Sequence, residues 1–259
     1  MTPEEQRLGT RTAKLPLGVG ATLGLGLIAF LVLAAPMAAA AGTAFTAPYM
    51  TATAVQSGNA IVSPHGASVS VLVPPTVSLM TGAVRASVLA TATTTTVAPR
   101  PASVVYTAHV GVSGLAYTPS ATGPAALGAS WIVGFQAGLA ITSGAPGGGL
   151  GAVTVSVAAT SYLVEQTTGL VVPGSQMTVV LFQKGLTMGS YALAHPPAPV
   201  ALNAAPVVLA GGTTYLLTSY VSITIVVQTI GAVHTTTTAT GWCQLGGPLA
   251  SSLVALTIG

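Results

Sequence analysis

The chain has 259 residues, enough for one good-sized domain or two small ones, but only 3% of them are charged, against about a quarter in ordinary soluble domains. The charges are also segregated: Glu4, Glu5, Arg7, Arg11 and Lys14 crowd the N-terminus, Arg85, Arg100, Glu165 and Lys184 are the rest, and there is no aspartate. A net charge of +3 spread this thinly cannot form the cationic stripe that displaces counterions from a polyanion, so nucleic-acid binding is excluded as a reading.

The N-terminus reads as an export signal. Arg7, Arg11 and Lys14 precede the uncharged run Leu15 to Ala35, after which Pro36 breaks the helix ahead of the small residues Ala38 to Ala41. A basic region, an apolar core and an extended small-residue stretch are what a signal peptidase requires, which predicts cleavage near Ala40 or Ala41. The rival is an uncleaved anchor, since a helix of that length rising about 1.5 Å per residue crosses a hydrocarbon core of about 30 Å. Both place the remainder outside the cytoplasm, because positive charge stays inside. The expected divisions are residues 1–41 as signal or anchor, 42–57 as a β-prone arm, and 58–259 as the folded body, with membrane contact only through the first segment.

The arm, Gly42 to Ser57, is chargeless and offers Phe45, Tyr49, Met50 and Val55 as anchors for insertion into a neighbouring copy.

Beyond the arm, Val, Thr, Ser and Ala fill short runs divided by Gly and Pro, the vocabulary of strands and turns. Period-two alternation puts Val69, Val71 and Val73 on one face. It does the same for Val104, Tyr106, Ala108, Val110 and Val112, for Val153, Val155 and Val157, and for Ile223, Ile225 and Val227. Pro74-Pro75, Pro99 to Pro101, Thr118 to Pro124, Ser143 to Gly151, His195 to Pro199 and Gly246 to Pro248 are among the expected turns. The pattern predicts nine to eleven strands and an all-β fold, an antiparallel β-sandwich of jelly-roll type following the N-terminal hydrophobic helix. Hydropathy alone would flag Ala125 to Gly144 and Tyr215 to Val233 as membrane spans. Glycines and Gln136 in the first, and Thr, Ser and β-branched residues in the second, favour strands instead.

The chemistry of catalysis is thinly supplied. Paired-carboxylate mechanisms need two acids and the body has Glu165 alone; no Gly-x-Ser-x-Gly elbow occurs; and His65, His109, His195 and His234 form no ligand-spaced pair. The expectation is a non-enzyme without metal or cofactor. Cys243, the single cysteine, is expected to be a buried apolar residue. Trp131 and Trp242 are both expected in the core, although either could stack on a sugar. The runs Thr93 to Thr96 and Thr235 to Thr238 read as strands with a hydroxyl face, with O-linked glycosylation as the other reading. With one carboxylate in the body, stability should respond little to acid, which suits an acidic habitat.

Lack of charge removes the repulsion that keeps copies apart. In plan, an export signal, an apolar arm and a Thr/Val/Gly-rich sandwich without catalytic residues, the chain resembles secreted archaeal thread and bundling-pilus subunits and the TasA-like matrix fibre proteins. That resemblance implies a homopolymer built by donor-strand complementation, with the arm as donor. The alternative is a cell-surface adhesin or carbohydrate-binding module.

Overall fold

The computed structural model describes residues 42–95, 100–144, 149–231 and 235–259. The predicted leader, His234, Thr96 and part of the glycine-rich segment lie outside the described residues.

The described chain is all-β. Its strands are β1 (Thr43–Thr46), β2 (Thr53–Val62), β3 (Ala67–Val77), β4 (Val84–Thr94), β5 (Ala102–Tyr117), β6 (Gly123–Ala125), β7 (Leu127–Ser143), β8 (Leu150–Glu165), β9 (Met177–Leu186), β10 (Gly189–Asn203), β11 (Val207–Leu209), β12 (Tyr215–Ile230), β13 (Thr237–Leu245) and β14 (Ser252–Ile258). The segments flagged by hydropathy, Ala125 to Gly144 and Tyr215 to Val233, contain β7 and β12, and no helix among the described residues is long and apolar enough to cross a membrane.

Pairing is antiparallel throughout. One sheet runs β3-β4-β13-β7-β10, with β14 and then β1 continuing from the first half of β7; the other runs β2-β5-β12-β8-β9. Four nested pairs, β4 with β13, β5 with β12, β7 with β10 and β8 with β9, are the wrapped hairpins of a jelly roll. The hairpin of β2 and β3 then widens each sheet by one strand on the same side.

Alternation builds the core. Val104, Tyr106, Ala108, Val110 and Val112 of β5 face Val88, Ala90 and Ala92 of β4 across the sandwich, while β12, β8, β7 and β13 contribute their odd-numbered residues. Where the sheets approach most closely a side chain is omitted: a Cβ on Gly241 would stand 2.8 Å from Ile225 Cγ2 and 3.0 Å from Val153 Cγ1. Cys243 is fully buried in this layer, and burial pushes its thiol pKa up to about 12. Native protein should therefore leave Cys243 unmodified by thiol reagents, with labelling tracking unfolding; fast labelling of folded protein would contradict this placement.

Polar groups in the core are hydroxyls and one indole. Trp131 Nε1 donates to Ser219 Oγ at 2.8 Å, tying β7 to the opposite sheet, and Ser219 Oγ lies 2.7 Å from Ser161 Oγ. Ser251 Oγ donates to Gly134 O at 2.6 Å and accepts from Gly134 N at 2.9 Å. Removing the shared hydroxyl by Ser219→Ala should orphan the indole N–H and cost about 1–3 kcal/mol in chemical denaturation; an unchanged midpoint would show that the pair contributes nothing.

Two expected turns are instead strand, and a third, Thr118 to Pro124, is a turn whose last two residues enter β6. Pro74 and Pro75 lie in β3, and Pro196, Pro197 and Pro199 lie in β10. Both longer strands are sheet edges, where a residue without an N–H forfeits no ladder bond on its solvent side.

Candidate assembly surface

The predicted arm is built into the body. β1 pairs with β14, Phe45 opposite Leu256, and Phe45 is half-buried against the core. Tyr49 is 1% exposed, its Oη donating to Leu253 O at 3.2 Å, and burial raises its pKa to about 12. Met50 is 75% exposed. Val55 lies in β2 opposite Gly111, and β2 runs unbroken across the expected boundary between 57 and 58. The four residues are therefore not one apolar stripe: Tyr49 anchors the segment to its own core and Met50 points away from it. Alternation predicts which residues are buried in a strand but is silent on whose sheet receives it.

A sandwich has edges, and an edge strand presents unpaired N–H and C=O groups to solvent. Four long strands lie at edges here, and three carry a recognised guard. β3 contains Pro74 and Pro75 and two register shifts. β9 has a register shift and the cation Lys184, whose Nζ stands 5.2 Å from the Tyr191 ring centroid. β10 has three prolines and a shift between His195 and Ala198.

β2 has none of these. Its ten residues, TAVQSGNAIV, include no proline and no charge, and they pair with β5 in continuous register from Thr53↔Ser113 to Val62↔Val104. Gln56 to Val62 are all exposed. About half of the strand's backbone polar groups point away from β5, because pairing sides alternate along an antiparallel strand. The hairpin adds apolar area: Ile61 near the end of β2 is 68% exposed and Leu72 in the middle of β3 66%.

The outer face of the same sheet is neutral and hydroxyl-rich. One row crosses all five strands as Asn59, Thr107, Thr224, Ser156 and Gln183. Among the histidines, His65 Nε2 is 3.1 Å from Arg100 Nη1, and His195 stacks on Phe135 with centroids 4.8 Å apart. His109 stands edge-on to Tyr220, with its Nδ1 buried and unpartnered and with Ser57 and Ser222 beside it across the strands. Among the described residues no three His, Cys, Asp or Glu side chains converge.

No protein-family profile and no curated protein matches this chain.

Burial lowers the pKa of His109. The unfolded chain, with an ordinary histidine pKa of about 6.5, then binds a proton before the folded one does. This contribution to stability is complete above about pH 6.5 and diminishes as pH falls below it. Thermal melts at pH 7.5 and pH 5 should show a modest drop that His109→Gln reduces; an equal drop in both proteins would assign it elsewhere.

Proposed function

We propose that the protein is a structural subunit of an extracellular filament or surface layer, joined copy to copy by β-strand addition, with β2 as the edge that receives the incoming strand. The observation that carries the reading is the asymmetry of the edges: three are guarded by proline, cation or bulge, and the fourth is long, neutral, regular and exposed. Backbone hydrogen bonding supplies strength that does not depend on charge, and side chains on alternate positions supply register. The near absence of charge supports it, since Arg85, Arg100, Glu165 and Lys184 are too few to hold copies apart. The basic, apolar and small-residue succession at the N-terminus supports the location.

β1 remains the donor this reading favours. It has one neighbour, β14, and three of its four residues are exposed, so releasing it costs little while Tyr49 stays seated as the pivot. Repeating a head-to-tail contact extends as an open filament when its rotation does not close a ring, whereas β2 against β2 closes as a dimer.

Deleting the arm would remove Tyr49 from the core, so edge substitutions make the better test. Secreted protein carrying Asn59→Lys with Ile61→Lys should be folded by circular dichroism yet show no polymers by negative-stain electron microscopy. Gln183→Lys, the same change on the guarded edge β9, should polymerise as the parent does. Polymers unchanged in the β2 variant would refute β2 as acceptor. Discrete two-copy particles from the parent chain would retain the edge contact and reject the filament.

A further inference from the structure

The fold brings the threonine run of β4 beside β13, which carries the second threonine run and Trp242. β4 and β13 are neighbours with Thr91 opposite Thr240 and Thr93 opposite Thr238, and Thr93 Oγ1 lies 3.2 Å from Thr238 Oγ1. Thr94 and Thr237 alternate inward and are buried, so Thr91, Thr93, Thr238 and Thr240 form a two-by-two block on the outer face. One pair further along, Leu89 opposes Trp242. Trp242 also faces outward, partly exposed, which corrects the expectation that it packs in the core. Its other neighbour is Gly138 of β7, and a Cβ there would collide with Nε1, Cε2 and Cζ2 of the indole. The ring thus lies over a position kept bare of side chain, and Ala140 and Ala192 beside it keep the floor low.

We infer that this face, Trp242 with the hydroxyls of Thr91 and Thr240 and, beyond Ala140 in the same row, Ser190, is a binding platform for a neutral pyranose chain. An aromatic face attracts the weakly positive C–H groups of a sugar ring. Threonine hydroxyls both donate and accept, as sugar hydroxyls do. Sheet spacing sets aromatic and hydroxyl groups in a flat array, with strands about 4.8 Å apart and same-face residues about 6.6 Å apart along a strand. The row Ser70, Leu89, Trp242, Gly138, Ala192 and the row Ser68, Thr91, Thr240, Ala140, Ser190 contain no charge. A nucleic acid or an acidic glycan would need cations there. An apolar protein surface would strand the hydroxyls without partners. The complementary ligand is therefore uncharged and hydroxylated, and this inference stands independently of assembly through β2.

The test uses the full secreted chain carrying Asn59→Lys with Ile61→Lys, so that loss of assembly and loss of sugar binding are read separately. Trp131 is sealed in the core and hydrogen-bonded to Ser219, so a ligand-dependent change in tryptophan emission reports on Trp242. Cellohexaose, maltohexaose and mannohexaose are the probes. At least one should give a saturable change that is insensitive to salt between about 50 and about 500 mM. Trp242→Ala should abolish the emission change and weaken binding by isothermal calorimetry about tenfold or more. Thr240→Val, which keeps the shape and removes one hydroxyl, should weaken it several-fold with the fold intact by circular dichroism. The inference is overturned if none of the three changes the emission at roughly 10 mM, a concentration that would reveal even millimolar affinity. Thr240→Val binding like the parent overturns it too, as does binding confined to sulfated or uronate oligosaccharides and lost with salt. Should Trp242→Ala fail to fold, Thr240→Val decides.

Discussion

Two sheets, each strand turning every second side chain into the space between them, hold this molecule together without ionic groups. The constraint is tight because an inward position should be apolar, or a hydroxyl or indole with a partner in reach; Thr229 Oγ1, buried without one, departs from it. Ser219, shared between Trp131 and Ser161, and Ser251, closed on Gly134, show how the fold meets it. A neutral hydroxyl costs less to bury than a charge and can donate and accept at once, so it suits a core with no means of neutralising an ion.

What the core excludes, the surface also lacks. Outward positions of the sheets here are largely Thr, Ser, Gln, Asn and small or apolar residues, with Arg85 a rare charge among them. With so little charge, the finish of the edges decides how open each is to strand pairing. Proline and bulges on β3 and β10, and Lys184 on β9, discourage strand pairing at three of them, and the bare β2 stands out against that background. The prolines that punctuate the sequence like turns serve as edge guards in the structure. One residue type meets both needs, since it lacks an N–H wherever it is placed.

The same neutrality shapes the faces. Threonines on β4 and β13 meet across one ladder, and Trp242 lies beside them over Gly138. Edge and face are separate surfaces, one offering backbone and the other side chains, and they make different demands on a partner.

Much of the architecture was legible in the chain. Alternation in Val104 to Val112, Val153 to Val157 and Ile223 to Val227 identified buried faces correctly, because a strand's period of two is a local property that any sheet must respect. Cys243 was readable as core because a lone cysteine behaves as a small apolar residue, whereas the core expectation shared by Trp131 and Trp242 held for Trp131 alone. The jelly-roll class followed from many short strands with no helical pattern, although the nesting of β4 with β13 and β5 with β12 is set by pairings across more than a hundred residues. The sequence could not reveal that Gly42 to Ser57 complements its own sheets, that Trp242 faces out while Trp131 faces in, or that two threonine runs lie side by side. Each of these depends on which strands become neighbours and which become edges, and that is decided only when all the strands compete for partners in the folded sandwich.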